Sequence, residues 1–299
     1  MPTAQAAILK EGLRHHHALE YKIADTAKLS NMKASLRNAV NDGNASCALT
    51  IAIGSDYWDV LSPDQKPKGL TTLKAINGPD GYNMPATNAD VFFWLQGDCP
   101  EAIFDGVQAV QGHMQKIAKL MLDQPGFTYK DSRDLIGFVD GSANPEGDEV
   151  QQVALVPDGE AFAGGAHVFA QKWVHNLAGF NKLSITEQEA IVGRTKEDSI
   201  ELSGAAMLPT SHVSRTDVKI DGVGQKVWRT SFPFGNAQEC GLYFLCFACA
   251  PSRIQVQLER MYGVSGDGLH DHLIHHTQAI TGAYWFAPSI EDLAKLLAD

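Results

Sequence analysis

The run Arg133-Asp134-Leu135-Ile136-Gly137-Phe138-Val139-Asp140-Gly141-Ser142-Ala143-Asn144-Pro145 comes closest, in residue types and spacing, to a device for chemistry. Two glycines bracket Phe-Val-Asp and an Asn-Pro pair closes the run, a composition that suits a tight loop presenting Asp140 at one fixed place. A carboxylate held in that way can take up and return a proton; it can equally cap backbone N–H groups of a structural turn, and the run alone leaves both open. Two further groups could bind metal or do redox chemistry. His270, His272, His275 and His276 are the densest histidine cluster, with positions 272, 275 and 276 on one face of a helix. Imidazoles suit zinc, but no neighbouring cysteine or second cluster completes a site, so a solvated helix face is expected. Cys246-x-x-Cys249 has redox-motif spacing but falls in or at the end of an apolar strand, where two small core residues are expected. His113 and His175 read as structural.

No Gly-Lys-Ser/Thr phosphate loop, Gly-x-Ser-x-Gly elbow or His-Glu-x-x-His pair is present. Other motifs follow the Asp140 run in order. They are Gly164-Gly165 with the stretch from His167 to Asn176, Gly193-Arg194-Thr195-Lys196, and Thr210-Ser211-His212-Val213-Ser214-Arg215. Then come Arg229-Thr230-Ser231-Phe232-Pro233-Phe234-Gly235, Gly241-Leu242-Tyr243-Phe244, and the stretch from Thr281 to Pro288. With the Asp140 run, which resembles a G-x-x-D-G signature, this order resembles the dye-decolourising peroxidases. The resemblance covers the second half; the first half matches only in general pattern. The compact length without a signal segment resembles the bacterial intracellular, B-type branch.

The resemblance implies one haem b per chain with His212 as axial iron ligand. It makes Asp271 the acceptor that orients the second imidazole nitrogen, with Asp267 as the alternative. On the opposite haem face it places Asp140 as proton shuttle and Arg229 as the fixed cation that stabilises the departing oxygen. Phe244 would wall that pocket, Ser231 would stand where some relatives carry asparagine, and Arg194 would face a haem propionate. Ser142 and Ala143 replace the threonine and glutamate common in the family, which alters the loop after Asp140. The implied reaction reduces hydrogen peroxide through a ferryl intermediate and oxidises organic donors such as dyes and phenols. Bulky donors would be oxidised at the surface, with Trp173, Trp228, Tyr243 and Trp285 as candidates. Alternative roles that keep His212 as ligand are a haem carrier or sensor, and deferrochelatase-like release of haem iron.

The elements that must position these residues are legible in part. Asp90 to Leu95 is an apolar run of strand length, followed by Pro100 and a helical stripe of Phe104, Val107, Val110, Met114, Ile117 and Met121. Leu242 to Phe247 repeats the strand, and Pro251 opens a second helix with Ile254, Leu258 and Met261 on one face. Leu19 to Ile23 and Cys47 to Ile53 read as strands around a helix bearing Met32, Leu36 and Val40. Val153 to Val156 and His167 to Val174 read as strands, and Thr186 to Val192 as a helix. The proline-rich stretch from Ser55 to Ala86 reads as a long connection. The sum is an α+β chain of two ferredoxin-like modules, 1–125 and 126–299, of the dimeric α+β barrel type. Each module has an antiparallel sheet with flanking helices, and the second holds the haem.

Bulk properties agree. The chain has 299 residues, 44% of them hydrophobic, enough for a substantial core, and a net charge of −11 that disfavours nucleic acid. Its five cysteines are odd in number and scattered, which argues against a disulfide framework. No run approaches the roughly 18 apolar residues of a membrane span. A cytoplasmic protein without membrane or nucleic-acid partners is expected, assembled as a homo-oligomer of two or more copies. The C-terminal end lacks the Gly-Ser-Leu type extension by which some relatives are packaged into shells, so no packaging is expected.

Overall fold

Residues two apart on a strand share a face, and in this chain both faces of the central strands are apolar. In β5 (Val91–Gly97), Val91, Phe93 and Leu95 belong to one buried cluster and Phe92 and Trp94 to another. Such a strand needs cover on both sides. The computed structural model, which describes residues 2–298, shows how that cover is supplied.

The N-terminal half runs β1 (His15–Ile23), α1 (Leu29–Ser46), β2 (Ala48–Gly54), α2 (Ser55–Leu61), β3 (Ile76–Asn77), β4 (Asn83–Met84), β5, α3 (Pro100–Met114) and β6 (Ala118–Phe127). The second half begins with α4 (Asp148–Ala154), β7 (Ala166–His175), α5 (Leu177–Phe180), α6 (Ile185–Val192) and α7 (His212–Thr216). It continues with β8 (Lys219–Ile220), β9 (Val223–Gly224), β10 (Trp228–Arg229), β11 (Phe232–Gly235) and β12 (Cys240–Ala248). It ends with α8 (Ser252–Met261), a 3-10 turn (His272–His275), β13 (Thr277–Ala279), β14 (Ala283–Ala287) and α9 (Ile290–Leu296).

The expected α+β architecture is present, and the two halves share one antiparallel sheet in the order β10-β12-β7-β14-β2-β5-β1-β6. The joint is the short pairing of Trp285 with Gly54 and Phe286 with Ile53. The sheet curls until β11, paired with β12, packs against β6. Gly126 permits that approach: a Cβ there would lie 2.1 Å from a ring carbon of Phe232 and 2.7 Å from the Pro233 carbonyl oxygen. The inner face is filled by Phe92, Trp94, Trp228, Tyr243, Phe247 and Trp285. Outside, α1 and α3 cover the first half through Met32, Leu36, Val107, Val110 and Met114. Helix α8 covers the second half through Ile254 and Leu258. Burying each such side chain contributes about 1.5–3 kcal/mol.

Several expectations are corrected. Helix α3 ends at Met114, so Met121 lies on β6, where it is exposed, and Phe104 points to solvent on α3. The helical spacing of Met121 is coincidence, because β6 begins within the same apolar series. Val153 and Ala154 close helix α4 rather than opening a strand, with Asp148 and Glu149 in its first turn where carboxylates favour a helix. The stretch from Ser55 to Ala86 is not bare connection; it carries α2 and the β3–β4 hairpin. Trp173, Trp228, Tyr243 and Trp285 are all buried, so none offers a surface oxidation site.

Candidate active site

The outer faces of β7 and β12, helix α8 and the loop before α4 enclose a cavity of about 330 Å³. His212, Asp140, Arg229, Arg194, Phe244 and Asp271 all line it. The fold thus brings to one cavity six side chains that are spread over more than a hundred positions of sequence.

His212 is the first residue of α7. Ser211 caps that helix by accepting the Ser214 N–H at 3.3 Å, and the Thr216 hydroxyl donates to the His212 carbonyl at 2.8 Å. Three residues on, Arg215 is buried and donates to Asp267 at 2.7 and 3.1 Å, to Ser265, and to the carbonyls of Arg260 and Leu269. This fork fixes α7 against α8 and the loop after it. Asp267 is thereby committed to Arg215, which holds its carboxyl far below the usual range. Asp271 is the partner of His212: its fully buried carboxylate accepts the Nδ1–H at 2.6 Å and the Leu273 N–H at 2.8 Å. Burial alone would push the His212 imidazole down; the Asp271 carboxylate outweighs it, and the net shift is upward. About a third of the His212 side chain is accessible, and that surface faces the cavity. Its Nε2 has no hydrogen-bond partner among the described residues.

Asp140 sits in a loop drawn tight by its own backbone. Asp134 N–H donates to the Phe138 carbonyl, Gly137 N–H to the Asp134 carbonyl, and Asp140 N–H to the Ser132 carbonyl, each at 2.9 Å. Gly137 and Gly141 hold φ of +98° and +84°, conformations that an L side chain would strain. Arg133 pins the loop to the next segment through the carbonyls of Lys196 at 2.5 Å and Glu197 at 2.9 Å. Asp134 pins it to β7 through His175 at 3.1 Å, whose other nitrogen meets the Thr277 hydroxyl at 2.7 Å. His175 is therefore structural, as its sequence context suggested.

Arg229 lies with its Nε 3.9 Å from Asp140. Burial raises the Asp140 pKa; Arg229 opposes that and Asp134 adds to it, with a net upward shift. The Ser231 hydroxyl is near enough to favour the charged carboxylate, yet its oxygen is buried without a partner of good hydrogen-bond geometry. Sequence reading missed how the pair is registered. Asn144 donates to the Arg229 carbonyl at 2.8 Å and accepts the Arg229 N–H at 3.2 Å, so the Asp140 loop and β10 are clamped together. The Asn-Pro pair was the signal, but nothing in it names the strand that Asn144 grips. Arg194 lines the cavity with its guanidinium held by Glu201 at 2.7 Å and the Ser199 carbonyl at 2.8 Å.

Asp140, Gly141 and Arg229 also line a second, polar cavity of about 300 Å³, bounded by His16, Gln96, Thr128, Asn144 and Ser231. Burial lowers the His16 pKa to about 4, and its ring stacks on Phe232 with centroids 5.1 Å apart. The two cavities meet at the carboxylate and the guanidinium.

The site can therefore do two things. It offers a metal an imidazole nitrogen oriented by Asp271 beside apolar walls, which is the setting an axial haem ligand needs. It also offers a small polar substrate a carboxylate with a raised pKa next to a fixed cation.

Comparison with known proteins supplies the class. A family model described as "Dyp-type peroxidase, N-terminal" matches residues 4–128, and one described as "Dyp-type peroxidase, C-terminal" matches residues 131–292. The first half, which by sequence reading alone matched only in general pattern, thus carries the family's own signature. The chain is 33% identical to a dye-decolorizing peroxidase of Mycobacterium tuberculosis over 82% of its length and 74% of the relative's. A putative Dyp-type peroxidase from Shewanella oneidensis superposes with a TM-score of 0.92 at 33% identity, over 99% of both chains. A DypB variant from Rhodococcus jostii RHA1, solved in complex with haem, superposes with a TM-score of 0.92 at 28% identity, over 98% of both. The chain belongs to the dye-decolourising, or Dyp-type, peroxidase family.

Proposed function

We propose that the chain binds one haem b through His212 and uses it to reduce hydrogen peroxide while oxidising small organic donors such as phenols and dyes. The observation that carries this reading is the His212–Asp271 pair in the same cavity as Asp140 and Arg229. The free Nε2 of His212 fits an iron, the apolar walls fit a porphyrin, and the haem bound by the Rhodococcus jostii neighbour supports the assignment. When bound, the haem would store the two oxidising equivalents that peroxide delivers and let organic donors return them one electron at a time.

The chain's own residues do the rest. Asp271 fixes the imidazole tautomer by accepting Nδ1–H, leaves Nε2 as the ligand atom, and increases its electron donation. Asp140 takes a proton from the near oxygen of peroxide and returns it to the far one, a role suited to a carboxylate raised towards the working pH. Arg229 stays charged and stabilises negative charge on the departing oxygen. The polar cavity on the far side of this pair is the route we assign to peroxide and water. Arg194, at the cavity wall and held by Glu201, is assigned to a propionate. Phe244 walls the haem pocket from β12, and Ser231, which lines the polar cavity instead, is assigned to solvent contacts there.

A cytoplasmic setting is consistent with the five unpaired cysteines. The test of function is peroxide-dependent oxidation of a phenolic donor by the haem-loaded protein. Turnover that requires both peroxide and haem supports the reading. Haem binding with donor turnover no faster than that of free haem would favour the carrier alternative.

A further inference from the structure

Outside the active-site cavity, one group of side chains has the geometry of a metal site. The 3-10 turn from His272 to His275 brings residues three apart into register, because side chains at i and i+3 eclipse in that helix. His272 and His275 therefore stack, with ring centroids 4.8 Å apart. His270, two residues before the turn, closes the third side. Its Nε2 lies 2.8 Å from Nε2 of His275, and its ring centroid lies 5.4 Å from that of His272. One ring nitrogen from each of the three lies within 4.8 Å of the others. This corrects the sequence expectation in two ways: the cluster is a turn rather than a helix face, and its third member is His270, not His276, which packs edge-on against Phe180.

We propose that His270, His272 and His275 bind one divalent first-row transition ion of the zinc and copper class. Tetrahedral Zn–N bonds of about 2.0–2.1 Å require ligand nitrogens about 3.3 Å apart, a distance bracketed by the 2.8 Å between His270 and His275 and the 4.8 Å limit on the group. Imidazole nitrogen is the ligand type that such ions select over magnesium or calcium. The rings are held in place rather than loose: Tyr82 stacks on His275 with centroids 4.6 Å apart and on His270 at 5.6 Å. His275 is exposed and the other two are half-buried, so a fourth position stays open to water, as in an exchangeable site rather than a closed structural one. Among the described residues, no other group of three histidine, cysteine, aspartate or glutamate side chains meets this geometry. The site has a structural link to the active site, since Asp271, the N-cap of the turn, lies between His270 and His272 in sequence. The inference rests on these side chains alone and would stand if the haem assignment failed.

The test is equilibrium dialysis of the haem-loaded protein against Zn²⁺, with metal analysis, for wild type, His275→Gln and the triple variant His270→Gln/His272→Gln/His275→Gln. Matched Soret absorbance and far-ultraviolet circular dichroism control for folding. Wild type should bind one Zn²⁺ per chain, and His275→Gln should weaken it by roughly 100-fold, the upper range for loss of even a supporting partner. Electron paramagnetic resonance of the Cu²⁺-loaded wild type should show nitrogen hyperfine structure that is absent from the triple variant. Equal Zn²⁺ binding by wild type and triple variant, or no stoichiometric binding by wild type, would overturn the proposal.

Discussion

At the scale of residues, the site is a set of paired groups, and each pair makes its own demand. His212 is oriented by a buried carboxylate, and its Nε2 is left for a ligand. His212→Ala should therefore abolish stable haem retention, whereas His275→Ala, outside the cavity, should leave it unchanged. Soret absorbance per chain after haem-saturating expression and desalting checks both, and equal intensity in wild type and His212→Ala would contradict the assignment. The choice between Asp271 and Asp267 shows where sequence stops. Both lie in one short run of a glycine-rich loop, and only the fold reveals that Arg215 takes Asp267 and leaves Asp271 for His212. The motif order made His212, Asp140 and Arg229 legible. Asn144 was not, because its two bonds cross to a strand more than eighty positions away.

At the scale of elements, alternation along the strands made the apolar runs visible but not the face each residue would join. Glu20 is the clearest case. It sits on β1 in an apolar series, yet its carboxyl points into the sheet interior and accepts the Tyr243 hydroxyl from β12 at 2.8 Å. Burial pushes its pKa from 4.5 up to about 7, although the Tyr243 bond works in the opposite direction. A carboxyl whose folded value is raised binds its proton more tightly in the folded state. Its contribution is complete below about pH 4.5 and is lost as pH rises through 7. Glu20→Gln keeps an acceptor for Tyr243 and removes the ionisation, so it should gain on wild type across that window, by about 3 kcal/mol above pH 7.5. Urea midpoints at pH 5 and pH 8 measure this, and an equal difference at both pH values would contradict it. The missed helix α4 and the overextended α3 share one cause. Short apolar series fit either period, and the backbone partner that decides between them lies elsewhere in the chain.

At the scale of the whole molecule, duplication of the strand-helix block was legible, because β5 with α3 and β12 with α8 occupy corresponding places on one sheet. The short β14–β2 joint that makes the two halves one sheet was not, since only two residue pairs form it. We propose that the chain assembles as a homo-oligomer. Phe104 on α3 and Met121 on the edge strand β6 are large apolar side chains left exposed, and closed symmetric assembly is the common way to cover such groups. Light scattering at micromolar concentration should give at least twice the 32.4 kDa of one chain. The mass of a single chain would rule the assembly out.

The central claim is that Asp140 and Arg229 together drive peroxide cleavage, and stopped-flow mixing of the haem-loaded protein with peroxide tests it most directly. The rate of the peroxide-induced Soret change is compared for wild type, Asp140→Asn and Arg229→Ala at matched haem occupancy. Removing one fixed electrostatic donor typically costs about 10²–10³-fold, and Arg229→Ala should fall in that range. Asp140→Asn should lose less, since solvent can carry part of the proton relay while the Arg229 charge remains. The wild-type rate should also fall as pH drops through the Asp140 pKa, which burial sets above its ordinary value, and Asp140→Asn should lack that limb. Rates for both variants within a few-fold of wild type would contradict the account and leave a haem carrier as the better description.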